Sequence, residues 1–230
     1  MKYKCILFDL DHTLWDFETN SSTTLADLFK VHDLQTRGIA QFTEFKKAFS
    51  RINTDLWIRY DAGLIGRDEI RFHRFRSILA HFGIHDEQLS MTLSDEYVIQ
   101  SPKKSALMPN AIESLEYLAG RYPITIITNG FDEIQGTKLA SSGITHYFKS
   151  VVTSARAGHK KPAREIFDFA LAENGFAHHE AIMIGDNLIT DIGGARNAKV
   201  DTIYYNPERS AHAETVNFEI HDLKQLLQIL

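Results

Sequence analysis

Short apolar runs that stop at polar or small residues punctuate the chain at residues 5–8, 124–127, 151–152, 181–184 and 202–205. Runs without strict alternation suit strands covered on both faces. Between the later runs lie helical stretches at 110–121, 132–141, 163–174 and 190–198. From about residue 108, helix and strand therefore alternate, which predicts an α/β fold built on a doubly wound parallel sheet. In such a sheet ligands bind beyond the carboxyl ends of the strands, so chemistry is expected in the residues that follow each strand.

Residues 15–107 read differently. Phe42, Phe45, Phe49, Ile52 and Leu56 step by three and four, as do Phe72, Phe75, Leu79 and Phe82, and each set marks the buried stripe of a helix. No strand pattern interrupts this block, which predicts an all-helical domain inserted after the first strand. The expected division is an α/β catalytic core of residues 1–14 and 108–230, with a helical cap of residues 15–107 placed as a lid over the strand ends.

Composition narrows the class. The 230 residues are 43% hydrophobic and 24% charged, enough for an ordinary core and too apolar for a disordered chain. Lys and Arg number 25 against 30 Asp and Glu, a formal charge of −5, and no basic run offers a face to nucleic acid or a membrane surface. The single cysteine, Cys5, lies in an apolar run and cannot form an internal disulfide, which fits a reducing, cytoplasmic setting. No apolar stretch approaches the roughly 20 residues of a bilayer span. Nothing in the pattern sets an oligomeric state.

Four polar constellations follow four of the strands. The first is Asp9-Leu10-Asp11-His12-Thr13, and the second is Thr128-Asn129-Gly130, followed by a helical stretch opened by Asp132. A strand-to-helix turn of the second kind presents a hydroxyl, an amide and backbone N–H groups to phosphate oxygens, so Thr128, Asn129 and Gly130 are phosphate-binding candidates. Lys160-Lys161-Pro162 comes third, and Gly185-Asp186 with Asp191 fourth. Each alone is explained by turn or helix-start chemistry; four in order, each after a different strand, are not. Two other features have plainer readings. The pairs His81/His85 and His178/His179 lack a completing ligand for zinc, and Gly193-Gly194 reads as close packing of a helix.

Together the four resemble the motifs of the haloacid dehalogenase superfamily: Asp-x-Asp-x-Thr, a Ser or Thr after strand two, a Lys usually before Pro, and a Gly-Asp with a further Asp. The resemblance spans the chain, and His12 departs from it where many members carry Gly. It implies that Asp9 is a nucleophile, Asp11 a general acid and base, Thr128 a phosphate-binding hydroxyl and Lys161 a phosphate-orienting ammonium. Four carboxylates against one ammonium leave −3, which repels a phosphate dianion, so a divalent cation is expected, and Mg²⁺ suits hard oxygen ligands. By resemblance the ligands are the carboxylates of Asp9 and Asp186 and the carbonyl of Asp11, with Asp191 in support outside them. Crowding is expected to keep Asp11 protonated when substrate arrives.

Residues 56–65, 126–131 and 166–171 look closest to the pyrimidine nucleoside 5′-monophosphatases of this superfamily. That implies a small-molecule phosphate ester as substrate and an aspartyl-phosphate intermediate. Trp15, Phe17, Trp57 and Tyr60 are the aromatic candidates for contact with a base. A phosphosugar phosphatase or mutase shares every core residue; a haloacid dehalogenase typically lacks the second Asp; a phosphate-binding regulator would not need the full catalytic set.

Overall fold

The computed structural model describes residues 2–230 and separates into two compact units, residues 2–17 with Ser105–Leu230, and Glu18–Lys104. The first unit contains six parallel strands: β1 (Cys5–Phe8), β2 (Ile124–Thr128), β3 (Ser150–Thr153), β4 (Ala181–Gly185), β5 (Asp201–Tyr205) and β6 (Phe218–Ile220). They pair in the order β3-β2-β1-β4-β5-β6. The chain thus leaves β1 to one side for β2 and β3 and returns to its other side for β4 to β6, which puts the switch point beside β1.

Both faces of this sheet are covered, which explains the unbroken apolar runs. Ile6 and Phe8 point to one core with Leu115, Leu118 and Ile126, while Cys5 and Leu7 point to the other with Ile166, Phe167 and Met183. Burial pushes the Cys5 thiol up to about 12, leaving it unreactive as a nucleophile at neutral pH. The sixth strand lay outside the predicted set. At the sheet edge it has one neighbour, so its exposed Phe218 and Glu219 carry no buried-strand signature.

The remaining helices of this unit are α5 (Ala111–Ala119), α6 (Asp132–Ser141), α7 (Ser154–Ala157), α8 (Arg164–Asn174), α9 (Gly194–Asn197) and α10 (Leu226–Ile229). The helix expected over 190–198 is present, with a wide π-helical first part, Leu188–Gly193, that runs into α9. Gly194 does mark close packing, though against another helix: a Cβ there would stand 2.8 Å from the Phe167 ring and 2.9 Å from Pro162 Cα.

In the second unit lie α1 (Phe17–Val31), whose first residue belongs to the first unit, α2 (Phe42–Asp61), α3 (Arg67–His81) and α4 (Glu87–Gln100). Phe45, Phe49, Phe75 and Tyr97 form its aromatic centre, with ring centroids 5.0–6.4 Å apart. The buried stripe of α3 differs from the expected one. Phe72 is 45% exposed, and Ile70, Arg74, Phe75, Ile78 and Leu79 face inward. Arg74 holds its guanidinium over the Phe49 and Tyr97 rings, a contact that suits a cation to an apolar interior. No helix is long and apolar enough to cross a membrane among the described residues.

Candidate active site

Asp9 follows β1 directly, and its N–H still donates to the Ile184 carbonyl at 2.9 Å, so the neighbouring strand fixes its backbone. The chain then turns. Leu14 and Trp15 N–H groups both return to the Leu10 carbonyl, and His12 takes a left-handed φ of 63°. That conformation explains why glycine is common at this position in the resembled family. Here the His12 ring lies 4.8 Å from that of Phe17, which offsets part of the roughly 1 kcal/mol cost of a side chain there.

Lys161 is the centre of the site. Its buried ammonium donates to Asp9 Oδ1 at 2.5 Å, Asp191 Oδ1 at 2.6 Å and the Ile127 carbonyl at 2.8 Å. Asn129 sets its backbone, accepting from the Lys161 N–H at 2.8 Å and donating to the Lys161 carbonyl at 2.9 Å. On the opposite side Thr13 Oγ1 lies 2.9 Å from Asp186 Oδ1 and 3.4 Å from Asp9 Oδ2, and accepts the Asp186 N–H. In the wide turn after β4, Asn187 caps the N–H groups of Ile189 and Thr190, and its own N–H donates to Asp191 Oδ2 at 3.0 Å. Gly185 leaves room for that carboxylate, since a Cβ would come within 2.3 Å of Asp191 Oδ2.

Charge is unevenly compensated across these groups. Burial raises Asp9 to about 7 against the pull of Lys161, with Asp191 and Asp11 adding to the rise. Asp186 is also raised well above the carboxylate range, by burial and by Asp9 and Asp191. Burial lowers Lys161, but the two carboxylates it touches outweigh it and keep the ammonium charged. Asp9, Asp186 and Asp191 each place an oxygen within 4.8 Å of the others, the one such metal-capable group among the described residues. Both Asp191 oxygens accept at 3.0 Å or less, whereas Asp9 Oδ2 has only the 3.4 Å contact to Thr13, so Asp9 and Asp186 are the carboxylates with more capacity to spare. A hard divalent cation fits this all-oxygen donor set and relieves its excess charge.

Asp11 stands in a different environment from the one expected. Lys138 Nζ lies 2.5 Å from its Oδ1, and Gln135 Nε2 donates to its Oδ2 at 3.0 Å. Burial alone raises Asp11, but the Lys138 ammonium and the Gln135 amide outweigh it and hold the carboxyl below its usual range. The free protein therefore favours the Asp11 carboxylate, so the proton expected on Asp11 when substrate arrives has to be gained at that moment; with Lys138 counted, four carboxylates and two ammoniums give the site a formal charge of −2.

Two of the phosphate-binding candidates have partners within the protein. The Asn129 side chain is committed to the Lys161 backbone, and the Gly130 N–H donates to Thr128 Oγ1 at 3.0 Å. Thr128 Oγ1 also accepts from Gln135 Nε2 at 2.9 Å, which leaves its own hydroxyl hydrogen to donate outward. Among the aromatic candidates, Trp15 is fully buried beneath Lys138, 4.5 Å from its ring centre, and Tyr60 is a core residue; neither offers a face to a base. Phe17 and Trp57 are half-buried, the latter edge-on to Tyr60 at 5.4 Å. Of the histidine pairs, His178 bonds Asp168 at 2.6 Å.

The switch point of the parallel sheet gathers four carboxylates and a buried lysine, which marks an α/β protein with a polar ligand site beyond its strand ends. Residues 3–199 match haloacid dehalogenase-like hydrolases, and the chain belongs to that family. It is 32% identical to the pyrimidine 5′-nucleotidase PynA of Streptococcus pneumoniae over all of this chain and 96% of that protein. Similarity to the pyrimidine 5′-nucleotidase YjjG of Escherichia coli is 31%, covering 99% of each. The crystal structure of the HAD-hydrolase YfnB from Bacillus subtilis, bound to magnesium, superposes with a TM-score of 0.90 at 28% identity, covering 100% of this chain and 99% of that one.

Proposed function

We propose that the protein is a Mg²⁺-dependent phosphomonoesterase acting on pyrimidine nucleoside 5′-monophosphates in the cytoplasm. The observation that carries this reading is the meeting of Asp9, Lys161, Asp186 and Asp191 at the end of β1, in a chain similar along its whole length to two pyrimidine 5′-nucleotidases.

Asp9 is the nucleophile. Lys161 orients it and sets a positive charge beside the transferring phosphoryl group, whose oxygens the outward-pointing Thr128 hydroxyl meets. Attack by Asp9 forms an aspartyl-phosphate as the ester bond to the leaving alcohol breaks, and Asp11, which takes up a proton from solvent as the anionic substrate arrives beside it, delivers the proton that alcohol needs. Asp11 then takes a proton from the water that hydrolyses the intermediate. Asp9, Asp186 and the Asp11 carbonyl would hold Mg²⁺, which supplies the positive charge that lets a phosphate dianion share the site with four carboxylates. Thr13 holds Asp186 and Asp9 in place, and Asp191 holds Lys161 against Asp9. Phe17 and Trp57 remain the aromatic candidates for contact with the base.

A panel of purified protein with Mg²⁺ against pyrimidine and purine nucleotides and sugar phosphates tests this directly. Uridine or thymidine 5′-monophosphate should lead by kcat/KM. A sugar phosphate preferred over every nucleotide would overturn the substrate assignment while leaving the phosphoryl-transfer chemistry in place.

A further inference from the structure

Gln135 and Lys138 are absent from the four motifs, yet both are buried side chains of α6 that end at the same carboxylate. They are three residues apart, hence on one face of the helix. Lys138 lies between the Asp11 carboxylate and the face of Trp15, so its ammonium meets an anion on one side and a π cloud on the other. Gln135 divides its two amide hydrogens between Asp11 Oδ2 and Thr128 Oγ1. One amide thereby links the residue that serves the leaving group to the residue that serves the phosphoryl group. Gly130 makes room for the link: a Cβ at that position would lie 1.8 Å from Gln135 Nε2.

We propose that Gln135 and Lys138 are positioning residues for Asp11, a clamp on α6 that fixes both of its carboxylate oxygens relative to Thr128 and from which Asp11 serves the leaving alcohol. This rests on the reading of Asp11 as the acid and base of the reaction. The geometry gives each residue a separate task. Lys138 sets the direction of Oδ1 with the heavier charge-assisted bond, and Gln135 sets Oδ2 in register with the phosphate-binding hydroxyl. Without Lys138, Asp11 keeps one neutral bond, and its carboxylate can rotate about its own side-chain torsions. Loss of alignment then falls on the step that Asp11 performs, leaving phosphate binding by Lys161 and Thr128 in place.

The test compares Lys138→Met, Lys138→Arg, Gln135→Leu and Asp11→Asn, alone and with Lys138→Met combined with Asp11→Asn, on uridine 5′-monophosphate and p-nitrophenyl phosphate. Nitrophenolate leaves with little protonation, so a defect routed through Asp11 spares it. Lys138→Met should lower kcat on the nucleotide about 10- to 100-fold with KM nearly unchanged, and lower kcat on p-nitrophenyl phosphate by no more than about threefold. Lys138→Arg should restore most of the nucleotide rate, and Lys138→Met should cost nothing further in the Asp11→Asn background. Equal losses on both substrates, or full additivity with Asp11→Asn, would overturn the clamp. If Lys138→Met unfolds, Gln135→Leu and Lys138→Arg carry the same comparison. Should Asp11→Asn itself show no leaving-group dependence, the acid and base reading fails, an outcome distinct from a clamp that fails while Asp11 behaves as assigned.

Discussion

Replacing Lys161 with Met keeps the length of the side chain and removes the ammonium that stands 2.5 Å from Asp9, 2.6 Å from Asp191 and 2.8 Å from the Ile127 carbonyl. Two buried carboxylates and a carbonyl are left without their donor. Breaking a buried ion pair from one side costs about 3–5 kcal/mol, much of it the penalty of the stranded charge. In a chain of this length that corresponds to a fall in Tm of about 10 °C. The loss must depend on pH. Asp9 is already raised to about 7 from 3.8, and Lys161 is what restrains it, so the variant raises it further. A carboxyl whose folded pKa exceeds its unfolded one destabilises the fold when it ionises, so the penalty grows as pH climbs above the unfolded value. The contribution of Lys161, whose own pKa is raised, persists through the neutral range and so does not account for that growth. Thermal unfolding in chelator should therefore show a gap between wild type and Lys161→Met that is wide at about pH 8 and narrow at about pH 5, where a proton takes the place of the ammonium. A gap of the same size at both values, or no gap at the higher one, would refute the reasoning.

Mg²⁺ should raise Tm more at about pH 8 than at about pH 5, because it displaces the proton that the raised Asp9 and Asp186 retain in acid; a pH-independent shift in a titration by differential scanning fluorimetry would contradict this. Asn129→Ala should cost about 1–3 kcal/mol and lower kcat, since two bonds to the Lys161 backbone disappear; denaturant unfolding and steady-state kinetics check both, and an unchanged kcat would remove Asn129 from the positioning of Lys161. Trp57→Leu should raise KM for pyrimidine nucleotides well above any change for p-nitrophenyl phosphate, and parallel changes in the two would mark Trp57 as packing alone.

The strand-end motifs were readable because a parallel sheet ties function to sequence position: Asp9, Thr128 and Asp186 sit where an apolar run stops. Their assigned partners were harder. A buried Lys138 and an exposed lysine look alike in a one-dimensional pattern, and only the Trp15 ring and the Asp11 carboxylate, over a hundred residues away in sequence, make this one a site residue. The spacing of Gln135 and Lys138 on one face of α6 was the one local signal for them. Asn129 had the expected location, and the further task of its side chain was hidden, because the match of its amide to the Lys161 peptide in both directions is made across 32 residues. Phe72 failed as a core residue since hydrophobic stepping of three and four fits two adjacent faces of a helix, and Arg74 occupies the inner one.

The stereochemical course at phosphorus tests the covalent mechanism most directly. With a chiral, oxygen-isotope-labelled thiophosphate analogue of uridine 5′-monophosphate, two successive in-line displacements, first by Asp9 and then by water, predict net retention of configuration in the released thiophosphate. Net inversion would mean a single attack by water, and Asp9 would then be a metal ligand and not the nucleophile.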